Sequence, residues 1–175
     1  INNGDGTVTY NGHVAWEWWD GIGGHQVQHL NNFINDARYP DSPDGATFAS
    51  SFNTRTALAG GFEGNGRDSY GGRMSGILTA PEDGTYRFFV ASDDASVLRI
   101  STDTDPANAV QVAHEDGCCK NFTLDDGGLS GTVDLVAGNQ YYMEAILKEG
   151  GGGDWMTVAW RKPSEDIDSV PGGNQ

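Results

Sequence analysis

Asp93 and Asp94 stand side by side in Ala91-Ser92-Asp93-Asp94-Ala95, between the strand-like runs Tyr86–Val90 and Val97–Ile100. A second stretch, Lys148-Glu149-Gly150-Gly151-Gly152-Gly153-Asp154-Trp155, has the same grammar: a strand, an oxygen-rich loop, another strand. Carboxylates and backbone carbonyls are hard oxygen donors, and calcium takes about six to eight of them at ~2.3–2.6 Å. Asp93, Asp94 and Asp154 supply carboxylates. Gly151, Gly152 and Gly153 tolerate positive φ, which lets their carbonyls turn toward an ion. Adjacent side chains of a regular strand point to opposite faces, so Asp93 and Asp94 reach one ion only across a distorted backbone, for which a cis peptide suffices. Taken alone, a turn at Ser92–Ala95 and a hairpin loop at the glycines account for both stretches without an ion.

Other chemistries fare worse. His25 and His29 are four apart and share a helix face, but no Glu follows His25 and no third zinc ligand is near, which leaves a short solvated helix. A nucleophile elbow at Ser69 has Arg67 where glycine belongs. A metalloprotease helix begun at His114-Glu115 meets Cys118 in place of its second histidine, and an EF-hand begun at Asp103 has Asn108 and His114 where Gly and Glu belong. Acid–base carboxylate pairs for glycoside cleavage are marked by no spacing. The fragment reads as non-catalytic.

The 10 basic and 25 acidic residues give a net charge of −15, which disfavours nucleic-acid phosphates and anionic lipids and favours cations and neutral ligands. A bound divalent ion relieves part of such self-repulsion. No apolar run approaches the ~20 residues of a membrane span, and Ile1–Asp5 lack the charged and apolar regions of a signal peptide. The 175 residues fit one domain, 1–175, with a core of about 14–163 and linker-like ends, as in a module of a longer multidomain chain. Cys118 and Cys119 are adjacent, so they stay reduced, close on each other, or pair with another chain.

These residues must be positioned by strands. Twenty-six glycines oppose long helices, and short alternating runs between Gly, Asp, Asn and Pro predict about nine to eleven strands in an all-β, antiparallel β-sandwich with long loops. Trp16, Trp18 and Trp19 lie in a first strand and pack in the core. A strand at Ala46–Phe52 and an open loop over Gly60–Gly72 follow. Arg73–Thr79 and Thr85–Val90 read as a hairpin around Pro81–Gly84, and Thr102–Gly131 as a long variable-looking region holding Asp105-Pro106 and the two cysteines. A last hairpin pairs Asn139–Lys148 with Trp155–Arg161. In it Trp155 alternates against Met156, Val158 and Trp160, either stacking on a ligand or packing in the core.

In order along the chain, Glu17–Gly24, Tyr39–Asp44, Tyr70–Gly76, Ala80–Phe88, Ala91–Asp94, Leu98–Asp103 and Lys148–Asp154 resemble the PA14 domain family, over roughly Trp16 to Pro163. The resemblance implies an extracellular β-sandwich of the kind found in bacterial and yeast adhesins, in toxins and inserted into glycosidases. In its lectin-like members an Asp-Asp pair joined by a cis peptide and a later loop hold a calcium ion that directly ligates vicinal sugar hydroxyls. Asp93 and Asp94 match that pair, and Gly151–Gly153 with Asp154 match the later loop, where yeast members usually carry an Asn side chain.

The resemblance makes Asp93, Asp94, Gly151, Gly152, Gly153 and Asp154 the expected calcium set, and Asp93, Asp94, Asp154 and Trp155 the expected carbohydrate contacts. It implies a calcium-dependent lectin module of a large surface adhesin, mediating attachment to glycans as in biofilms. The alternative is a structural or targeting module of a glycoside hydrolase. Exchange of two waters for two hydroxyls on an open ion suits a neutral diol, with millimolar to micromolar affinity raised by multivalency. Asp116–Phe122, with its paired cysteines, is the first candidate for setting specificity.

Overall fold

The computed structural model describes residues 12–58, 67–124 and 127–172. The N-terminal linker-like stretch, most of the Gly60–Gly72 loop, Asp125-Asp126 and the last three residues lie outside them. Nine strands are present among the described residues: β1 Val14–Asp20, β2 Gly45–Ala49, β3 Tyr70–Thr79, β4 Gly84–Asp93, β5 Ala95–Ile100, β6 Val110–Glu115, β7 Ser130–Leu135, β8 Gln140–Glu149 and β9 Trp155–Arg161. They form two antiparallel sheets, one of six strands in the order β2-β1-β3-β8-β5-β6 and one of three in the order β7-β4-β9. The architecture is the expected all-β sandwich.

The outer face of each sheet carries an apolar patch, beside charged side chains such as Glu17, Arg73, Arg99 and Glu144 on the larger, which breaks strict polar alternation along the strands. Trp16, Met74, Phe88, Val90, Leu98, Leu147 and Met156 fill the space between the sheets. On the outer face of the larger sheet, Trp19, Val97 and Ile146 are covered by Leu30 and Phe33 of a short helix, α1 Leu30–Ile34. On the outer face of the smaller sheet, Phe89 and Ala91 pack with Phe122 and the partly buried Trp155. The three tryptophans of β1 thus divide as a strand requires: Trp16 and Trp18 turn inward, Trp19 outward beneath α1. His29 Nδ1 accepts from the backbone N–H groups of His25 and Gln26 at 3.2 Å each, and neither histidine joins a group of three metal-ligating side chains among the described residues.

Several expectations need correction. The β3–β4 and β8–β9 pairs are not hairpins, since β3 and β8 belong to the larger sheet and β4 and β9 to the smaller. Alternation reports which face of a strand is apolar, and in a sandwich two successive strands can show apolar faces to one core from opposite sides. β3 begins at Tyr70 rather than Arg73. Gly71 and Gly72 belong to the strand because a Cβ there would stand 2.2 Å from the Phe33 ring and 2.0 Å from the Trp16 ring, so their glycines admit two aromatics rather than break a strand. The region 102–131 contains β6 and the start of β7. Past the expected core, Arg87 Nε donates to Ile167 O at 2.8 Å and Arg161 donates to Ser169 O and Val170 O at 3.2 and 3.0 Å.

Candidate functional site

The two sheet changes place the site. β4 ends at Asp93 in the smaller sheet and β5 begins at Ala95 in the larger, so Asp94 is the residue at which the chain crosses. β8 and β9 make the reverse crossing through Gly150–Asp154. Register brings the crossings together, because Asp93 pairs with Trp155 and Ala95 with Lys148. Asp94 must therefore face the glycine loop.

The Asp93–Asp94 peptide bond is cis, and carboxylate oxygens of Asp93, Asp94 and Glu149 lie within 4.8 Å of one another. Asp94 is fixed on both sides: its N–H donates to Glu149 Oε2 at 3.0 Å and its Oδ2 accepts from Gly150 N at 3.0 Å. Ser92 Oγ donates to the Asp94 carbonyl. The glycine loop is held in turn, with Ser69 N donating to Gly150 O at 3.0 Å and Gly152 N to Asp68 Oδ1 at 3.2 Å. At Gly153 a Cβ would stand 2.4 Å from Asp93 Oδ2, so a side chain there would displace the carboxylate.

Not every expected residue joins the cluster equally. Asp154 is buried beside it, its Oδ2 accepting from the Tyr70 hydroxyl at 3.4 Å, but it stands outside the group of three. Gly151 and Gly152 are exposed on the rim. Trp155 adjoins Asp93 on the next strand, with the Arg55 guanidinium over its ring at 4.4 Å, so stacking on that face requires Arg55 to move.

Glu149 is the residue that motif reasoning missed. It is 0% exposed, and its Oε1 has no hydrogen-bond partner among the described residues. The signal was present in the alternation of β8, where Tyr141, Met143, Ala145 and Leu147 all point into the sandwich and Glu149 continues their register. An acidic residue at a core-facing position needs a partner, since a buried carboxylate without one is costly.

Charge crowding is visible in the titration behaviour. Burial, then the charge of Asp94, pushes Glu149 up to about 8. Burial, then Asp94 and Asp154, raises Asp93. Tyr70 is driven well above its usual value by burial and then by Asp154. Lys148, fully buried, donates to Tyr70 O at 2.9 Å and Glu149 O at 2.7 Å, and burial lowers it to about 8 against the pull of Glu149 and Asp94. The Lys148 ammonium, which bonds backbone carbonyls, acts electrostatically on only Glu149 and Asp94 of the clustered carboxylates. Such a donor set, all hard oxygen with an excess of negative charge, fits calcium chemically.

A two-sheet antiparallel sandwich with an acidic cluster where the chain changes sheets defines the class. The model of the PA14 domain matches residues 61–173, and the chain belongs to that family. Among curated proteins it is 29% identical over 83 residues to human fibrocystin-L. It is also 30% identical over 156 residues, 85% of this chain, to the mouse N-acetyl-beta-glucosaminyl-glycoprotein 4-beta-N-acetylgalactosaminyltransferase 1. The chain spans 2% of the former's length and 14% of the latter's. Among solved structures it resembles the A domain of epithelial adhesin 9 from Candida glabrata in complex with Galb1-4GlcNAc, with TM-score 0.57 at 10% identity, covering 94% of this chain and 89% of that one.

Proposed function

We propose that this chain is a calcium-dependent carbohydrate-binding module, non-catalytic and extracellular, within a larger surface adhesin, and that it binds vicinal hydroxyls of glycans. The observation that carries the reading is the Asp93–Asp94–Glu149 group, half-buried at Asp93 and buried at the other two, with Glu149 Oε1 unpartnered among the described residues. Asp93, Asp94 and Glu149 would hold the ion, with Asp154 and the carbonyls of Gly151–Gly153 as the remaining candidates. A calcium ion held there would supply a hard cation to which vicinal hydroxyls of a neutral sugar could bind in place of water. Asp93, the least buried of the carboxylates in the group, accepts a hydroxyl hydrogen as a charge-assisted bond. Lys148 and the backbone N–H groups of Asp94 and Gly150 hold the cluster in place before any ligand arrives. The sugar-bound adhesin domain of similar fold supports the ligand class.

A second reading, a non-catalytic targeting module of a carbohydrate-active enzyme such as a glycoside hydrolase, is favoured by the similarity to a much longer glycan-modifying transferase. It keeps the same site and changes only the parent chain. Calorimetry with simple sugars in calcium and in chelator tests the common core of both readings: binding is expected in calcium only, and binding unchanged by chelator would sink the mechanism. Hydrolysis of a chromogenic glycoside by the fragment would overturn its non-catalytic assignment.

A further inference from the structure

Cys118 and Cys119 are joined to each other, and both are exposed. Their loop is fastened to the site. Cys118 bridges to Asp93, Cys119 N donates to Ser92 O at 2.8 Å, and Cys118 Sγ lies 3.1 Å from Asp93 Oδ1. Cys119 adopts a left-handed backbone, φ 69°. On one side of the pair the fully buried Glu115 accepts from Gly117 N at 3.3 Å and Lys120 Nζ at 3.2 Å. On the other, Phe122 packs against Phe89 at 5.9 Å between ring centroids. The pair is therefore held against Asp93 and does not swing freely.

Burial fixes the direction of approach. Glu149, Asp154 and Asp94 are 0, 1 and 8% exposed and form a floor, whereas Asp93 is only half-buried and leads to solvent. Asp93 has two neighbours on that path, Gly153 beside Oδ2 and the disulfide beside Oδ1. The glycine side is peptide, polar and flat. The disulfide side offers two polarisable sulfurs and no hydrogen-bond donor, a surface suited to C–H groups.

We propose that the Cys118–Cys119 disulfide is an apolar wall of the ligand site. It receives the C–H face of a sugar ring whose vicinal hydroxyls lie at Asp93 and Asp94. This rests on the diol-binding reading above. The ligand class is thereby narrowed to pyranosides that present, beside the diol, a ring face free of axial hydroxyls. Roughly 40 Å² of C–H surface against sulfur, at about 25 cal/mol per Å², corresponds to about a five-fold gain in affinity.

The test uses galactose, glucose, mannose and N-acetylglucosamine as methyl glycosides, with calorimetry on the wild-type chain and on Cys118→Ser/Cys119→Ser. The variant is expected to keep its calcium affinity and to bind the best sugar of the panel about five-fold more weakly. In a second measurement, dithiothreitol reduces the wild-type disulfide to two thiols while itself closing to its cyclic disulfide. Saturating sugar is expected to slow that reduction several-fold beyond calcium alone. Unchanged sugar affinity in the variant, loss of its calcium binding, or a reduction rate indifferent to sugar overturns the wall. If the variant misfolds, the reduction rate of the wild type decides. If no sugar of the panel binds the wild type in calcium, the diol reading fails and the wall with it, whereas sugar binding without a disulfide effect sinks the wall alone.

Discussion

Replacing Glu149 by Gln removes one buried charge while keeping shape, and the two consequences have opposite sign. Glu149 titrates near 8 in the ion-free fold against a usual value of 4.5. A carboxyl raised in the folded state binds more protons folded than unfolded. Its stabilising share is present below pH 4.5 and is lost as pH rises toward 8. At pH 7 the carboxyl is mostly protonated in the ion-free fold and ionised in the unfolded chain, which costs the fold on the order of 3 kcal/mol relative to a neutral side chain, a cost Glu149→Gln relieves. The Gln carbonyl can still accept from Asp94 N, so the hydrogen bond at that position survives. For a domain of this size ~3 kcal/mol is about 6–12 °C in Tm. In chelator at pH 7, Glu149→Gln should melt that much higher than wild type. In calcium the order should reverse, because wild type gains about 4.1 kcal/mol at an ion concentration 1,000-fold above Kd and the variant gains little. Thermal unfolding followed by circular dichroism at pH 5 and 7, with and without calcium, reads both. A variant that melts with wild type in chelator, or that keeps the calcium-induced rise, refutes the assignment of Glu149 to the ion.

The ion-free wild type should be least stable near pH 8, because Glu149 gains protons below it and Lys148, also titrating near 8, loses them above it; urea titrations from pH 5 to 10 in chelator check this, and a flat profile contradicts it. Asp94→Ala should abolish calcium and sugar binding while leaving the far-ultraviolet dichroism of a folded sandwich, and retained sugar affinity would refute that role. Gly72→Val should lower stability by about 1–3 kcal/mol by driving a side chain into the Trp16 ring, without altering calcium affinity in calorimetry.

The sandwich and the two oxygen-rich loops were legible in the sequence because both rest on local signals: short β-branched and aromatic runs, adjacent aspartates, a run of glycines. Partner choice was not. The residues of β3 and β4 announce which side is apolar, but whether Pro81–Gly84 folds a hairpin or carries the chain to the other sheet depends on the position of β8, 60 residues on. Gly71 and Gly72 misled for a related reason, since their role is defined by Trp16 and Phe33 across the fold. Glu149 lay in plain view, yet the strand reads as ending at Lys148, and the expected ligands of that loop are the glycines and Asp154 beyond it. Only its register with Leu147 and Ala145 reveals that it points inward.

The sheet changes at Asp94 and at Gly150–Asp154 carry a mechanical consequence. A ligand seated between them pulls on four strands at once, and three of these, β4, β5 and β8, are interior strands with a hydrogen-bonded neighbour on each side. Tension entering there must shear whole ladders against one another, whereas a ligand bound on an edge strand could unzip its bonds one at a time. The crossing point is thus where this fold best resists being pulled apart by what it holds.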